Sequence, residues 1–250
     1  MPDALIAAAL TPGLIWLILT IAVAGVVRGF SGFGTALVFV PVAGAFLAPA
    51  DIITIMVLTG LLSTATLMPR AWKHADRTEV SWLAAASVVT VPLGIMALGI
   101  LDPLAIRWFV AGMAGTTLVL MVLGWRYTGH IGRGGLLGLG AAAGLTGGMT
   151  GVSGPIIILF YLAGQARAQN VRANTILYLG VLDVVIGANL FLGGLGRPEA
   201  IWLAALLCLP YFVTSLIGQA LFRPELERVY RSVTYIVIAL AVASGLPVWQ

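Results

Sequence analysis

Two short stretches hold the residues best suited to chemistry. The first is Arg28-Gly29-Phe30-Ser31-Gly32-Phe33-Gly34-Thr35, and the second is Gly147-Gly148-Met149-Thr150-Gly151-Val152-Ser153-Gly154-Pro155. Each sets glycines around a hydroxyl inside an apolar run. Glycine costs about 1 kcal/mol relative to alanine in a helix interior, so both stretches predict a helix that stops and another that restarts. In the second, Ser153 is a good N-cap and Pro155 falls just inside the restart. In the first, Gly34-Thr35 takes that place. A restarting helix turns free N–H groups and the positive end of its dipole into the break. Two such starts arriving from opposite sides of a membrane would converge near the midplane and make a site for a small anion. Broken backbone is tolerated at that depth only where it is buried or lines a cavity. The candidate substrate ligands are therefore Arg28, Gly29, Ser31, Gly32, Gly34 and Thr35, with Gly148, Thr150, Gly151, Ser153 and Gly154. The competing reading is helix packing, since small residues also let helices cross closely.

Arg28 supplies the charge. An arginine inside the membrane is costly and commonly functional, and its planar fork suits an oxyanion. Its alternative is to snorkel to the interface. Asp183 is the acid placed mid-segment and the candidate carrier of a coupling proton; its alternative is a buried aspartate satisfied by neighbours. Asn174, Asn189, Gln165 and Gln219 suit helix–helix hydrogen bonds better than ligand duty. His74 and His130 fall in basic loops with no second metal ligand at useful spacing.

Around these residues the chain is overwhelmingly apolar. Of its 250 residues 60% are hydrophobic and 9% are charged, against about 25% charged in a soluble domain. That balance leaves no water-compatible surface and implies an all-α integral membrane protein, with the lipid bilayer as solvent. Apolar runs at 5–27, 34–48, 51–69, 79–100, 104–125, 134–146, 154–165, 173–193, 199–221 and 229–248 predict about ten membrane segments. Those at 34–48, 134–146 and 154–165 are short or re-entrant. Met1-Pro2-Asp3 lacks the positive start of a signal peptide, so 5–27 is read as a retained first segment.

The segments repeat. Gly29 aligns with Gly148, Ser31 with Thr150 and Gly32 with Gly151; Trp82-Leu83-Ala84-Ala85 aligns with Trp202-Leu203-Ala204-Ala205, Gly94 with Gly218 and Arg107 with Arg231. This predicts a first membrane repeat over 1–125, a cytoplasmic connecting loop over 126–133 and a second repeat over 134–250. Five segments per repeat reverse the second relative to the first, giving inverted repeats. Arg70, Lys73, Arg77, Arg126, Arg133, Arg167, Arg172, Arg223, Arg228 and Arg231 then share one face, and Arg107 and Arg197 the other. The positive-inside rule makes the richer face cytoplasmic and puts both termini outside, in the periplasm.

Several classes are excluded or unsupported. The basic residues form no nucleic-acid-binding face. Cys208 is the sole cysteine, so neither an internal disulfide nor a cysteine metal cluster can form. No P-loop is present. Gly151-Val152-Ser153-Gly154-Pro155 misses the nucleophile-elbow pattern at its last position. No cofactor, metal or enzymatic activity is expected.

Residues 24–44, AGVVRGFSGFGTALVFVPVAG, and 143–164, AGLTGGMTGVSGPIIILFYLAG, resemble the paired signature of the TauE/SafE sulfite exporter family, also called the toluene sulfonate uptake permease family. The resemblance covers nearly the whole chain. It implies a bacterial inner-membrane transporter of sulfite, organosulfonates or other small sulfur-containing anions, with the glycine-rich start of each half at Gly29, Gly32 and Gly34 and at Gly148, Gly151 and Gly154. The chain departs from the family pattern at Pro155, where many relatives have glycine. The expected function is a secondary transporter that rocks its halves around the anion, with a proton as candidate partner; a homo-oligomer is compatible with the sequence. The alternatives are a passive anion channel and a membrane structural subunit without substrate.

Overall fold

The computed structural model describes residues 2–124, 132–163, 168–221, 227–246 and 248. Among them the chain forms helices only: α1 (Pro2–Ala9), α2 (Leu14–Ser31), α3 (Thr35–Ala43), α4 (Pro49–His74), α5 (Arg77–Ile100), α6 (Pro103–Val122), α7 (Arg133–Thr150), α8 (Gly154–Ala163), α9 (Ala168–Leu192), α10 (Pro198–Leu221) and α11 (Glu227–Gly245). Five of these, α4, α5, α6, α9 and α10, contain stretches long and apolar enough to cross a membrane; Leu14–Gly29 and Ser232–Gly245 are shorter apolar helices. Side chains such as Leu93, Met96 and Ile100 on α5 and Leu209, Val213 and Leu216 on α10 face outward, as lipid-facing positions do. The connecting loop around His130, together with Trp125, Gln165, Arg167, Arg223, Trp249 and Gln250, lies outside the described residues.

Local chemistry sets the helix ends. Asp76 caps α5 by accepting from the N–H groups of Thr78 and Glu79, and Asp102 caps α6 by accepting from Leu104 N–H at 2.6 Å. Pro49 and Pro103 stand in the first turns of α4 and α6, where a missing N–H costs nothing.

Two departures from the expected segments stand out. The run 5–27 is not one helix, because it breaks ahead of Gly13, whose φ is 73° and against which the Phe46 ring packs. The sequence signals the break at Pro12-Gly13, inside a run whose apolarity alone suggests continuity. Second, α2 continues through Arg28 and Gly29 to Ser31, and α7 through Gly147 and Gly148 to Thr150. Gly29 and Gly148 do not end their helices because helix packing uses them. A side chain on Gly29 would strike Ser215 O and Gly218 Cα of α10, and one on Gly148 would strike Val91 O and Gly94 Cα of α5. In lipid, where apolar burial does not drive helices together, such backbone approach is a main source of association.

Consequently α2 packs most extensively on α10, and α5 on α7. The α5–α7 seam also runs along Gly140 and Gly144, which face Leu83, Ser87 and Thr90. Ser87 Oγ donates to Gly140 O across it and meets the Tyr178 hydroxyl at 2.7 Å. One apolar cluster gathers α2, α3, α6, α10 and α11 around Leu17, Phe39, Val110, Leu207 and Ile238. A second gathers α4, α5, α7, α8 and α9 around Val57, Val91, Ala143, Ile157 and Leu182.

Candidate functional site

Each break spans three residues. At 32–34, Gly32 (φ 80°) closes α2 through its N–H to Arg28 O at 2.9 Å, and Gly34 (φ 99°) opens α3. Both conformations lie in the left-handed region that favours glycine. Gly32 packs against the Arg172 side chain of α9, whose Nη2 donates to Gly29 O at 3.3 Å. A guanidinium thus sits on the carbonyl end of α2, the negative end of its dipole. Thr35 Oγ1 and the Tyr211 hydroxyl of α10 share a buried hydrogen bond of 2.9 Å. Of Ser31 the backbone alone is described, as the last residue of α2.

At 151–153, Gly151 (φ 73°) closes α7 through its N–H to Gly147 O at 2.8 Å. The Thr150 hydroxyl donates to Thr146 O at 2.7 Å and accepts from Val152 N–H at 3.1 Å, so it ties the break together. Ser153 is buried beside Gly147, close to Leu182 and Ile186 of α9. Gly154 opens α8 with free space where a side chain would stand, and Pro155 follows as its second residue. Gly151 itself faces Ile53 and Met56 of α4. Thr150 also borders a small crevice shared with Gly44, Ile52, Arg107 and Gly245.

The two breaks do not meet at a midplane point. Gly151 sits beside Ile53, near the start of α4, whereas Gly32 sits beside Arg172, near the start of α9. Ala71, near the far end of α4, clusters with Ala173, and Ile53 and Ala71 are about 27 Å apart along the helix. The reason is the one that carried α2 and α7 past their first glycines: the chain turns only after each helix has run to the end of its partner. Arg28 stands in the last turn of α2, one turn before the first break, and Asp183 lies within α9. Arg28 is buried, and its Nε has no hydrogen-bond partner among the described residues. Asp183, half-buried on α9, packs its carboxyl group against Gly60 of α4. The Arg28 charge acts on it through space, with no direct ion pair between the two.

Other polar residues take structural roles. Asn174 accepts from Asp76 N–H and donates to Glu79 Oε1, bracing the α4–α5 turn. Asn189 donates to Val185 O of its own helix. No group of three His, Cys, Asp or Glu able to hold a metal is found among the described residues. Sequence reasoning missed the bidentate pair between Arg197 and Asp51, which ties the α9–α10 connection to the first turn of α4. Its only signal was an acid just after a helix-starting proline. The partnership of Tyr211 with Thr35, and of Tyr178 with Ser87, had no signal in the sequence.

The family model described as Sulfite exporter TauE/SafE matches residues 17–245. No curated protein and no solved structure matches the chain.

Proposed function

The chain belongs to the sulfite exporter TauE/SafE family, and from that premise we propose that it is a secondary transporter, working as an exporter, of a small sulfur-containing anion such as sulfite or an organosulfonate. The membrane is the bacterial inner membrane, with the ten-residue basic face cytoplasmic. The observation that carries the reading is Arg28: a buried guanidinium in the last turn of α2, with an Nε that has no partner among the described residues. A buried donor left unmet is expensive, and an anion on its way through would satisfy it.

The same reading makes the two five-helix runs, α2–α6 and α7–α11, inverted repeats. Their helices match in order, and each run breaks between its first and second helix. The glycines paired by sequence also contact crosswise: Gly29 meets Gly218, and Gly148 meets Gly94. The breaks then serve as two stations rather than one site. The N-terminus of α3, with Ser31, Gly32, Gly34 and Thr35, would receive the anion at the cytoplasmic end. The N-terminus of α8, with Thr150, Gly151, Ser153 and Gly154, would pass it on at the outer end. Arg28 is the way-point between them, and Asp183 beside it is the candidate proton carrier.

The test is flux in proteoliposomes offered sulfite, thiosulfate, sulfate and an alkyl sulfonate, with and without a proton gradient. Saturable, gradient-dependent flux of a sulfur oxyanion is expected. Flux that ignores the gradient would mean a passive channel, and no flux with any of the four would overturn the reading.

A further inference from the structure

Where α4 crosses α9, two glycines let the helices approach. The Asp183 carboxyl group lies over Gly60, and the Thr64 methyl lies over Gly180. Thr64 is set apart from its neighbours. Thr54, Thr59, Thr117, Thr150 and Thr175 each donate to a carbonyl one turn back in their own helix. Thr64 is 3% exposed, yet its Oγ1 is buried without a hydrogen-bond partner among the described residues. Leaving such a group unmet is unfavourable, and natural cores rarely do so. Arg28 Nε is in the same condition.

The carboxylate of Asp183 makes no hydrogen bond among the described residues. Among the described side chains, the other charged groups on elements packed against α9 stand at helix ends: Asp51, Lys73 and His74 on α4, Arg77 and Glu79 on α5, and Arg133 on α7. Arg172 of α9 itself is at the far end, on Gly29 O. Tyr178 of α9 is held by Ser87. Among the described side chains, Arg28 is thus the charge that bears on Asp183.

The bundle therefore holds two buried donors without a partner among the described residues, Arg28 Nε and Thr64 Oγ1, and one carboxylate, Asp183, that makes no hydrogen bond with them. A fully ionised anion would satisfy the donors and be repelled by the carboxylate. An oxyanion that keeps one O–H satisfies all three. Resting on the transport reading above, we infer that Arg28, Thr64 and Asp183 form one binding set for a hydroxyl-bearing sulfur oxyanion, the hydrogen form of sulfite. Arg28 and Thr64 donate to its bare oxygens, and Asp183 accepts its O–H. A sulfonate, which has no O–H, enters only when Asp183 itself takes a proton from solution. In both cases one proton is bound with each anion.

The experiment measures binding of sulfite and of methanesulfonate to the purified full chain, with a pH-indicator dye reporting proton uptake at a pH where the sulfite dianion dominates. Wild type should take up about one proton per sulfite bound. Thr64→Val keeps the methyl over Gly180 and removes only the hydroxyl, so sulfite affinity should fall about tenfold; Thr64→Ser should restore most of it. Asp183→Asn presents an amide donor in place of an acceptor, so proton uptake should vanish and methanesulfonate should bind better than in wild type. A folded Thr64→Val that binds sulfite within twofold of wild type overturns the assignment, as does undiminished proton uptake in Asp183→Asn. Binding that depends on Arg28 but on neither of the other two sinks this inference alone. Sulfite binding unchanged in Arg28→Ala, or no binding of either anion by wild type, sinks the transport reading with it.

Discussion

At the scale of single residues, Arg28 decides most. Truncating a charged hydrogen-bonding group at a desolvated site costs about 2–5 kcal/mol, roughly 30- to several-thousand-fold in affinity. Arg28→Ala should therefore lose sulfite binding, while Arg28→Lys keeps the charge, loses the fork and stays partly active. Calorimetry on both variants checks this; a folded Arg28→Ala within about threefold of wild type would reduce Arg28 to an interfacial anchor. Asp51 and Arg197 make a different point. Asp51 raises the ionisation of Arg197 above its ordinary value. A cation raised in this way adds stability below its unfolded pKa and loses it only as pH climbs through the folded one. Both values lie beyond the usable range, so thermal stability should show no loss of this pair up to about pH 10. Arg197→Ala should lower the melting temperature, and adding Asp51→Asn should recover part of the loss. How much of this was legible follows from what each residue needs. Gly32, Gly34 and Gly151 could be read as breaks because their backbone demands glycine. Thr64 could not, since its distinction is a partner it lacks, and that depends on helices far away in sequence.

At the scale of elements, glycines of one chemical kind do opposite jobs, and substitution should separate them. Gly94 and Gly218 have backbone from another helix where a side chain would go, whereas Gly112 of α6 has nothing within 4 Å. Gly218→Val or Gly94→Val should force helices apart at a cost of about 1–3 kcal/mol or more. Gly112→Ala should be tolerated and gain up to about 1 kcal/mol of helix propensity. Thermal unfolding in detergent reads both, and equal effects at the two kinds of position would refute the packing role. The long segments were legible almost to the residue: 79–100 against Arg77–Ile100, and 199–221 against Pro198–Leu221. Lipid demands an unbroken apolar run of about 20 residues. The glycine-rich segments were read too short, because propensity says where a helix is weak and only tertiary contact says whether that weakness is overruled.

At the scale of the whole molecule, the distribution of arginine predicts the orientation. In a Cys208→Ser background, a cysteine at position 130 should resist an impermeant thiol reagent in intact cells and react once the cells are opened; labelling of intact cells would reverse the topology. The sequence suggested two halves that rock as separate blocks. The helices pack otherwise. The first half lends α2 to α10 of the second, and the second lends α7 to α5 of the first, so a rigid body that kept these contacts would contain helices from both.

That interlacing bears on how the protein is made. Gly29 of α2 enters the membrane early, yet its contact, Gly218, is translated near the end. At about 5–20 residues per second, α2 waits roughly 10–40 s for its partner, carrying Arg28 in lipid all the while. A nascent chain with a charge in the bilayer and no permanent neighbour calls for a temporary one, supplied by the insertion machinery or by a chaperone within the membrane. Depleting such a holder should strand the first half well before it touches the rest.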